Sequence, residues 1–208
     1  MKKLFLASYF AFVKDLLLPL LPDKPKNLKL GFIPTAADLY TVKPWFYGDK
    51  VALKLLGFNS KTIHLKNKSE SVLRNELNEC DVIFVSGGNT YYLLEHAQKS
   101  GFIEIAKERV HSGVVYIGSS AGSVLASPSI EHIEDLDDRS QTDLQSCIGL
   151  SLIDQRILPH AGELKYESKF SDIMRRWQND PYPMLPLSNQ EVLIVENDIQ
   201  RIESNKGR

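Results

Sequence analysis

The segment "GSSAG", residues 118–122, has the residue types and spacing best suited to catalysis. It follows an apolar stretch typical of a strand, precedes a helical stretch, and fits the pattern G-x-S-x-G. In that context a sharp strand-to-helix turn exposes the central serine, here Ser120, as a nucleophile. The helix start supplies backbone N–H groups that stabilise an oxyanion. On this motif alone, a turn that binds phosphate or no ligand is an equally good interpretation.

A second glycine turn repeats this arrangement in "VIFVSGGNTYYLL", residues 82–94. Its two glycines allow the backbone to approach a ligand closely, so the amide of Gly88 is a candidate second oxyanion donor. The alternative is a plain helix cap, in which Asn89 or Thr90 caps the helix that follows. The two interpretations are compatible.

A nucleophilic serine needs a base, and His160 is the histidine whose surroundings indicate exposure at a strand end. It lies in "RILPHAGE", where Pro159 and Gly162 predict an irregular backbone just after an apolar stretch. A favourably placed lone histidine is about as often structural as catalytic. The other four histidines are more typical of structural or solvated positions: His64, His96, His111 and His132.

The elements around these motifs alternate between short apolar strands and helices, which predicts a doubly wound α/β fold with a mostly parallel sheet and helices on both faces. Such sheets bind ligands at the carboxyl ends of their strands, where both glycine turns fall. The predicted strands are Leu4–Ser8, Leu28–Pro34, Lys61–Leu65, Val82–Val85, Val114–Gly118 and Val192–Val195. The predicted helices are Asp49–Leu56, Ser69–Leu77, Tyr91–Gln98, Ile103–Ser112 and Tyr166–Trp177.

Composition limits the class of protein. The 208 residues, 43% of them hydrophobic, are enough for one substantial core, so we expect a single domain over residues 1–208. The 25 Lys+Arg nearly balance the 26 Asp+Glu, which argues against nucleic acid or an anionic membrane surface as a partner. We therefore expect a small-molecule partner.

The cysteines and the N-terminus bear on the compartment. Cys80 and Cys147 lie far apart with no CxxC or His-rich context, so neither a structural disulfide nor a zinc site is expected. The start "MKKLFLASYFAFV" has the basic and apolar parts of a short signal peptide, but Lys14 and Asp15 break the run. We favour a buried first strand and a cytoplasmic protein. No apolar run approaches the length of a membrane span.

Three motifs together resemble peptidase family S51, which contains aspartyl dipeptidase (dipeptidase E) and, more distantly, cyanophycinase. They are "VSGGNTYYLL", "YIGSSAGSVLASPSI" and "LPHAGE", in this order and spacing, and the similarity extends over essentially the whole chain. The resemblance implies a flavodoxin-like sheet related to class I glutamine amidotransferases, and hydrolysis of short peptides without a metal or another cofactor. It implies Ser120 as nucleophile, His160 as base, and Gly88 and Ala121 as sources of the oxyanion amides.

The third triad member departs from the family pattern. The orienting carboxylate of the family falls on Asn189 in this chain, and an amide oxygen can fix the tautomer of a histidine but carries no charge. Asp135 matches another acidic position that the family offers for the charge relay. Glu191 is close in sequence, but strand geometry would turn it to the opposite face. We rank Asn189 first, Asp135 second and Glu191 third.

Substrate contacts are expected from Asn89 and Lys165. Relatives that cleave after an N-terminal aspartate resemble one another in carrying a basic residue shortly beyond the histidine, where this chain has only Lys165 and Lys169. Because lysine lacks the bidentate fork of arginine, strict Asp-X specificity is not expected.

The sequence thus predicts a serine peptidase for small peptides, acting as a monomer or homodimer through an acyl-enzyme on Ser120. The alternative is a non-catalytic or weakly catalytic small-molecule binder that retains the same turn.

Overall fold

The structure, a computed structural model, describes residues 1–205 and contains one large and one small sheet. The nine strands of these residues are β1 (Lys3–Ala7), β2 (Lys29–Ile33), β3 (Asn59–Thr62), β4 (Val82–Val85), β5 (Val115–Ser119), β6 (Arg156–Ala161), β7 (Met184–Ser188), β8 (Glu191–Glu196) and β9 (Ile199–Ser204). Their α-helices are α1 (Phe10–Val13), α2 (Pro44–Leu56), α3 (Glu70–Asn78), α4 (Thr90–Lys99), α5 (Phe102–His111), α6 (Ala121–Leu125) and α7 (Glu167–Arg176).

The large sheet has seven strands in the order β3-β2-β4-β5-β1-β8-β9. The first five are parallel, β8 runs antiparallel to β1, and β9 runs antiparallel to β8 at the edge of the sheet. Because Ala7 pairs with Ser119 and Gly118 pairs with Val85, β1, β4 and β5 end at the same edge of the sheet. This edge carries both glycine turns. The predicted α/β class with a mostly parallel sheet is confirmed.

Apolar side chains pack against both faces of the sheet, as the continuous apolar strands predicted. On β1, Leu4 and Leu6 join the core under α3 to α6, whereas Phe5 and Ala7 join the core under α1 and α2. All four are fully buried. The sheet is therefore packed between helices on its two faces. This packing fixes the position of the edge at which β1, β4 and β5 end.

Several predicted boundaries are wrong. Strand β3 spans Asn59–Thr62, whereas the predicted strand was Lys61–Leu65. Ile63 and Leu65 are buried after the strand has ended, so their apolar side chains were wrongly included in it. Helix α2 begins at Pro44, five residues before the predicted start, since proline is well accommodated in a first helical turn. The short helix α1 and the strands β6, β7 and β9 were not predicted. Within the described residues, no helix is both long and apolar enough to cross a membrane.

Candidate active site

Ser120 occupies a sharp turn between β5 and α6. Its backbone has φ 50° and ψ −109°, a conformation that non-glycine residues rarely adopt and that occurs at the turns of nucleophilic serines. Its N–H donates to the carbonyl of Ala7 at 3.0 Å, which ties the turn to the end of β1. Ser119 is buried, and its hydroxyl accepts from the N–H of Phe10 at 3.3 Å. Of the two serines, Ser120 is the one whose hydroxyl meets a histidine.

The glycines of the motif are required by close backbone packing. A Cβ on Gly122 would lie 2.1 Å from the carbonyl oxygen of Val85, and one on Gly118 would lie 2.6 Å from the carbonyl carbon of Gly122. Helix α6 therefore starts in direct contact with the backbone of β4. This contact holds Ser120 in place at the sheet edge.

His160 reaches Ser120 from the small sheet, where β6 pairs with β7. Its Nε2 lies 2.9 Å from Oγ of Ser120. It has φ 68°, and the strand register shifts between Pro159 and Ala161, so the irregular backbone predicted from "LPHAGE" is present within a strand. Its N–H donates to Oγ of Ser8 at 2.7 Å, and the Tyr166 ring stacks on the imidazole with centroids 5.7 Å apart.

Asn189 lies in the turn between β7 and β8, and its Oδ1 is 2.7 Å from Nδ1 of His160. The Ser8 hydroxyl donates to the same Oδ1 at 3.2 Å. On the other side of the amide, Nδ2 donates to Oε1 of Glu163 at 2.6 Å. Asn189, the first-ranked candidate, is therefore the residue that contacts Nδ1 of His160. The carboxylate of Glu163 contacts the opposite end of its amide.

The other two candidates for this position do not contact His160. Asp135 forms an ion pair with Arg176 at 3.1 Å and is about one-third exposed, outside the site. Glu191 begins β8, and its Oε2 accepts from the N–H of Ser188 at 2.8 Å. Asp135 is thus a correction to the predicted site: its neighbours Leu136 and Asp137 line the cavity, whereas its own carboxylate pairs with Arg176.

Burial lowers the pKa of His160 below the usual histidine value, and the nearby charge of Lys165 acts in the same direction. The hydrogen bond to Asn189 and the negative charge of Glu163 act against this shift. Burial is the largest of these effects, so the imidazole is neutral and able to accept a proton near neutral pH.

The two residues predicted to supply oxyanion amides are both near Ser120: Ala121 follows it directly, and Gly88 lines the same cavity. Ala121 is the first residue of α6, so its N–H has no partner within the helix. Gly88 has φ 146°, and a Cβ there would lie 2.1 Å from the carbonyl oxygen of Ala36, so only glycine fits. Gly88 lines the same cavity as Ser120.

Asn89 has a structural position rather than the predicted contact with substrate. Its Oδ1 caps α4 by accepting from the N–H of Tyr92 at 2.9 Å, and its Nδ2 donates to the carbonyl of Asp138 at 2.7 Å. The side chain is 2% exposed and does not line the cavity. Of the two interpretations of this turn, the helix cap applies to Asn89.

The serine and histidine open into a cavity of about 350 Å³, within the range of small-molecule sites. Its walls include four aromatic residues, two acidic residues and a lysine: Tyr9, Tyr40, Trp45, Tyr166, Asp137, Glu163 and Lys165. Oδ2 of Asp137 accepts from the N–H of Thr90 at 2.7 Å. The Nζ of Lys165 lies 4.5 Å from the centre of the Tyr166 ring. The cavity thus presents charges of both signs.

Two residues of this network were not identified from the sequence. Ser8 follows β1 and is 152 residues from His160, so nothing local connects them. Glu163 is three residues after the histidine in the quoted motif "LPHAGE", and a carboxylate so close in sequence was the available signal. In the whole arrangement, the imidazole of His160 can take the proton of the Ser120 hydroxyl and carry it to a leaving group, while the amide of Asn189 orients the ring.

Comparison with known proteins identifies the family of this chain. Residues 4–202 match the profile of peptidase family S51. An uncharacterised peptidase of Pasteurella multocida (strain Pm70) is 31% identical, with 99% of each chain covered. Peptidase E of Nostoc sp. is 31% identical over 64% of this chain and 52% of its own.

A solved structure extends the comparison to the fold. A 1.5 Å crystal structure of a Listeria monocytogenes EGD-e protein, described as a peptidase E, superposes with a TM-score of 0.91. The two chains are 29% identical, and 98% of each is covered. The profile match and the Pasteurella relative both span nearly the whole sequence. The chain belongs to peptidase family S51.

Proposed function

We propose that this protein is a serine peptidase that hydrolyses small peptides through an acyl-enzyme on Ser120. The observation that carries the proposal is the continuous hydrogen-bonded line from Ser120 Oγ through His160 to Asn189 Oδ1, with distances of 2.9 and 2.7 Å. A serine hydroxyl is a weak nucleophile until an adjacent base removes its proton. The position and lowered pKa of His160 suit it to that role.

In the first half-reaction Oγ of Ser120 attacks the peptide carbonyl carbon while His160 Nε2 takes the proton. The carbonyl oxygen becomes an oxyanion, which the N–H groups of Gly88 and Ala121 would bind. When the C–N bond breaks, His160 returns the proton to the leaving amine, which departs and leaves the acyl group on Ser120. Water, deprotonated by the same histidine, then releases the acid and regenerates the serine.

Asn189 takes the place of the carboxylate in this scheme. Its Oδ1 accepts the Nδ1–H of the imidazole, so the ring is held in the tautomer whose Nε2 lone pair faces Ser120. An amide performs this orienting role in Cys-His-Asn peptidases.

The cavity supports short peptides as substrates. Its volume of about 350 Å³ suits a small molecule, and its aromatic walls with both acidic and basic groups suit a zwitterion. Lys165 supplies a positive charge that could pair with an acidic side chain of the substrate. We extend the proposal to dipeptides, including those with N-terminal aspartate.

A dipeptide panel with the purified protein tests the proposal. We expect kcat/KM to be measurable for at least one of Asp-Leu, Glu-Leu, Ala-Leu and Leu-Leu, and Ser120→Ala to lower it on the order of a thousandfold or more. Ser119→Ala is the matched control, because that hydroxyl faces the N–H of Phe10. Equal losses in the two folded variants, or undiminished hydrolysis by Ser120→Ala, would overturn the assignment of the nucleophile.

A further inference from the structure

Glu163 lies directly behind the asparagine that contacts the histidine. Asn189 Oδ1 is 2.7 Å from Nδ1 of His160, and Asn189 Nδ2 is 2.6 Å from Oε1 of Glu163. The amide therefore bridges the imidazole and the carboxylate, with one end on each. Glu163 is itself tied to the histidine, since its N–H donates to the His160 carbonyl at 3.2 Å in the turn that follows.

A carboxylate at this place determines which way the amide points. An ionised carboxylate only accepts hydrogen bonds, so it selects the NH₂ end of Asn189 and leaves Oδ1 for His160. The Ser8 hydroxyl, which donates to Oδ1, favours the same orientation. A reversed amide would set its oxygen against the carboxylate and its NH₂ against the imidazole, which would then carry its proton on Nε2. Such a histidine could not accept the proton of Ser120.

The carboxylate also supplies a charge that the amide lacks. When His160 takes the serine proton it becomes an imidazolium, and a negative charge nearby stabilises that form. The negative charge of Glu163 raises the pKa of His160 and so favours its protonated form, whereas the positive charge of Lys165 lowers that pKa. Tyr166 covers one face of the ring.

We propose that Glu163 is a positioning residue of the proposed peptidase, which fixes the Asn189 amide and supplies through it the negative charge of the catalytic site. The hydrogen-bonded chain then runs from Ser120 through His160 and Asn189 to Glu163. The carboxylate contacts Asn189 instead of contacting the histidine directly. This inference rests on the proposed function, but variants of Glu163 test it separately from the identity of the nucleophile.

The first test changes Glu163 alone, with kcat and KM measured against pH. Glu163→Gln keeps an acceptor for Asn189 but removes the charge, so we expect kcat to fall while KM changes little and the acidic limb of kcat/KM moves to lower pH. Glu163→Leu removes acceptor and charge, and a loss of about 10- to 100-fold in kcat is expected from the effect of outer partners that orient a histidine. Glu167→Gln, an exposed neighbouring glutamate on α7, is the control and should match the unmodified enzyme.

The second test moves the carboxylate inward. Asn189→Asp alone would place two carboxylates about 2.6 Å apart, and their repulsion should impair the enzyme. Adding Glu163→Gln converts the outer group to an amide, whose NH₂ can donate to the new aspartate while the aspartate accepts from His160. We expect the double variant to recover kcat relative to Asn189→Asp alone, a rescue that a purely structural role for Glu163 would not give.

The outcomes separate this inference from the proposed function. If Ser120→Ala abolishes hydrolysis but Glu163→Gln leaves kcat and the acidic limb unmoved and the double variant shows no rescue, the role of Glu163 is refuted and the peptidase stands. If Ser120→Ala retains full activity, the proposed function itself fails. Should Glu163→Leu not fold, Glu163→Gln and the double variant still decide.

Discussion

Two of the proposed catalytic residues have backbone conformations in the left-handed half of φ space, at 50° for Ser120 and 68° for His160. Such conformations cost on the order of 1–3 kcal/mol each in non-glycine residues and persist only where the surroundings enforce them. Here the Ala7 carbonyl holds the serine, and the Ser8 hydroxyl holds the histidine. The two contacts come from consecutive residues at the end of β1, so this strand sets the distance between nucleophile and base.

The buried imidazole predicts an acidic limb of activity at unusually low pH. Because burial lowers the pKa of His160, its neutral, basic form is retained below the pH at which an exposed histidine would be protonated. We expect kcat/KM for a dipeptide to fall only below the ordinary histidine value of about 6.5. A limb at or above that value would contradict the predicted protonation state. The measurement is a pH profile in buffers of constant ionic strength.

The contact at Asn189 predicts which amide or carboxylate the enzyme depends on. Asn189→Leu removes the acceptor of the imidazole Nδ1–H, so we expect kcat/KM to fall at every pH, on the order of a hundredfold or more. Asp135→Asn is the matched comparison and should leave kcat/KM within about twofold, because Asp135 pairs with Arg176 outside the site. The reverse ranking of the two folded variants would restore Asp135 as the orienting residue.

At the scale of elements, the site depends on one short helix touching one strand. Helix α6 has only five residues, and Gly122 at its second position meets the Val85 carbonyl of β4. The first turn of α6 carries the Ala121 amide, and Ser120 immediately precedes it. Any separation of α6 from β4 therefore displaces both the nucleophile and one proposed oxyanion donor.

Gly122→Ala tests this packing. The added Cβ would lie 2.1 Å from a backbone oxygen, so we expect a loss of about 3 kcal/mol in the free energy of unfolding, measured with urea, and a lower kcat. Gly57→Ala is the control: its φ is 99° with no atom within 4 Å of the new Cβ, so only backbone strain of about 1–2 kcal/mol is expected. Equal losses in the two variants, with kcat unchanged in both, would show that α6 tolerates displacement.

The elements that could be predicted from sequence are those with a local signal. Strands β4 and β5 and their glycine turns are continuous apolar runs with a fixed turn pattern, which located Ser120 and Gly88. Strands β6 and β7 each contain a proline, Pro159 and Pro186, and proline argues against a strand unless it lies at an edge or bulge. Asn189 was located through the family resemblance, but its contacts with Ser8 and Glu163 join distant segments of the chain, so no local pattern contained those contacts.

At the scale of the whole molecule, one buried acid links stability to pH. Asp49 on α2 is 1% exposed, and burial raises its pKa to about 8 although the hydroxyls of Ser119 and Ser86 act against the shift. Within the described residues its Oδ1 has no hydrogen-bond partner. The folded protein therefore keeps this carboxyl protonated at pH values where the unfolded chain, with a pKa of about 3.9, has released the proton.

This difference predicts that the free energy of unfolding falls as pH rises from about 4 towards 8, by on the order of 1 kcal/mol per pH unit for this group. The stabilising contribution is complete below about pH 4, and it is lost through the interval up to the folded-state pKa. Asp49→Asn should flatten this dependence, because an amide does not titrate. Urea unfolding of both proteins at several pH values measures it, and parallel curves would contradict the protonated state of Asp49.

Covalent labelling of Ser120 by a fluorophosphonate tests the central claim most directly, because the reagent reacts with a serine only where a base activates it. We predict one label per chain, mapped to Ser120 by peptide mass spectrometry, with a labelling rate that declines as His160 becomes protonated. Ser120→Ala should take up none, and Ser119→Ala should be labelled like the unmodified protein. A label on another serine, or no label at Ser120 at any pH at which the protein is folded, would contradict the account.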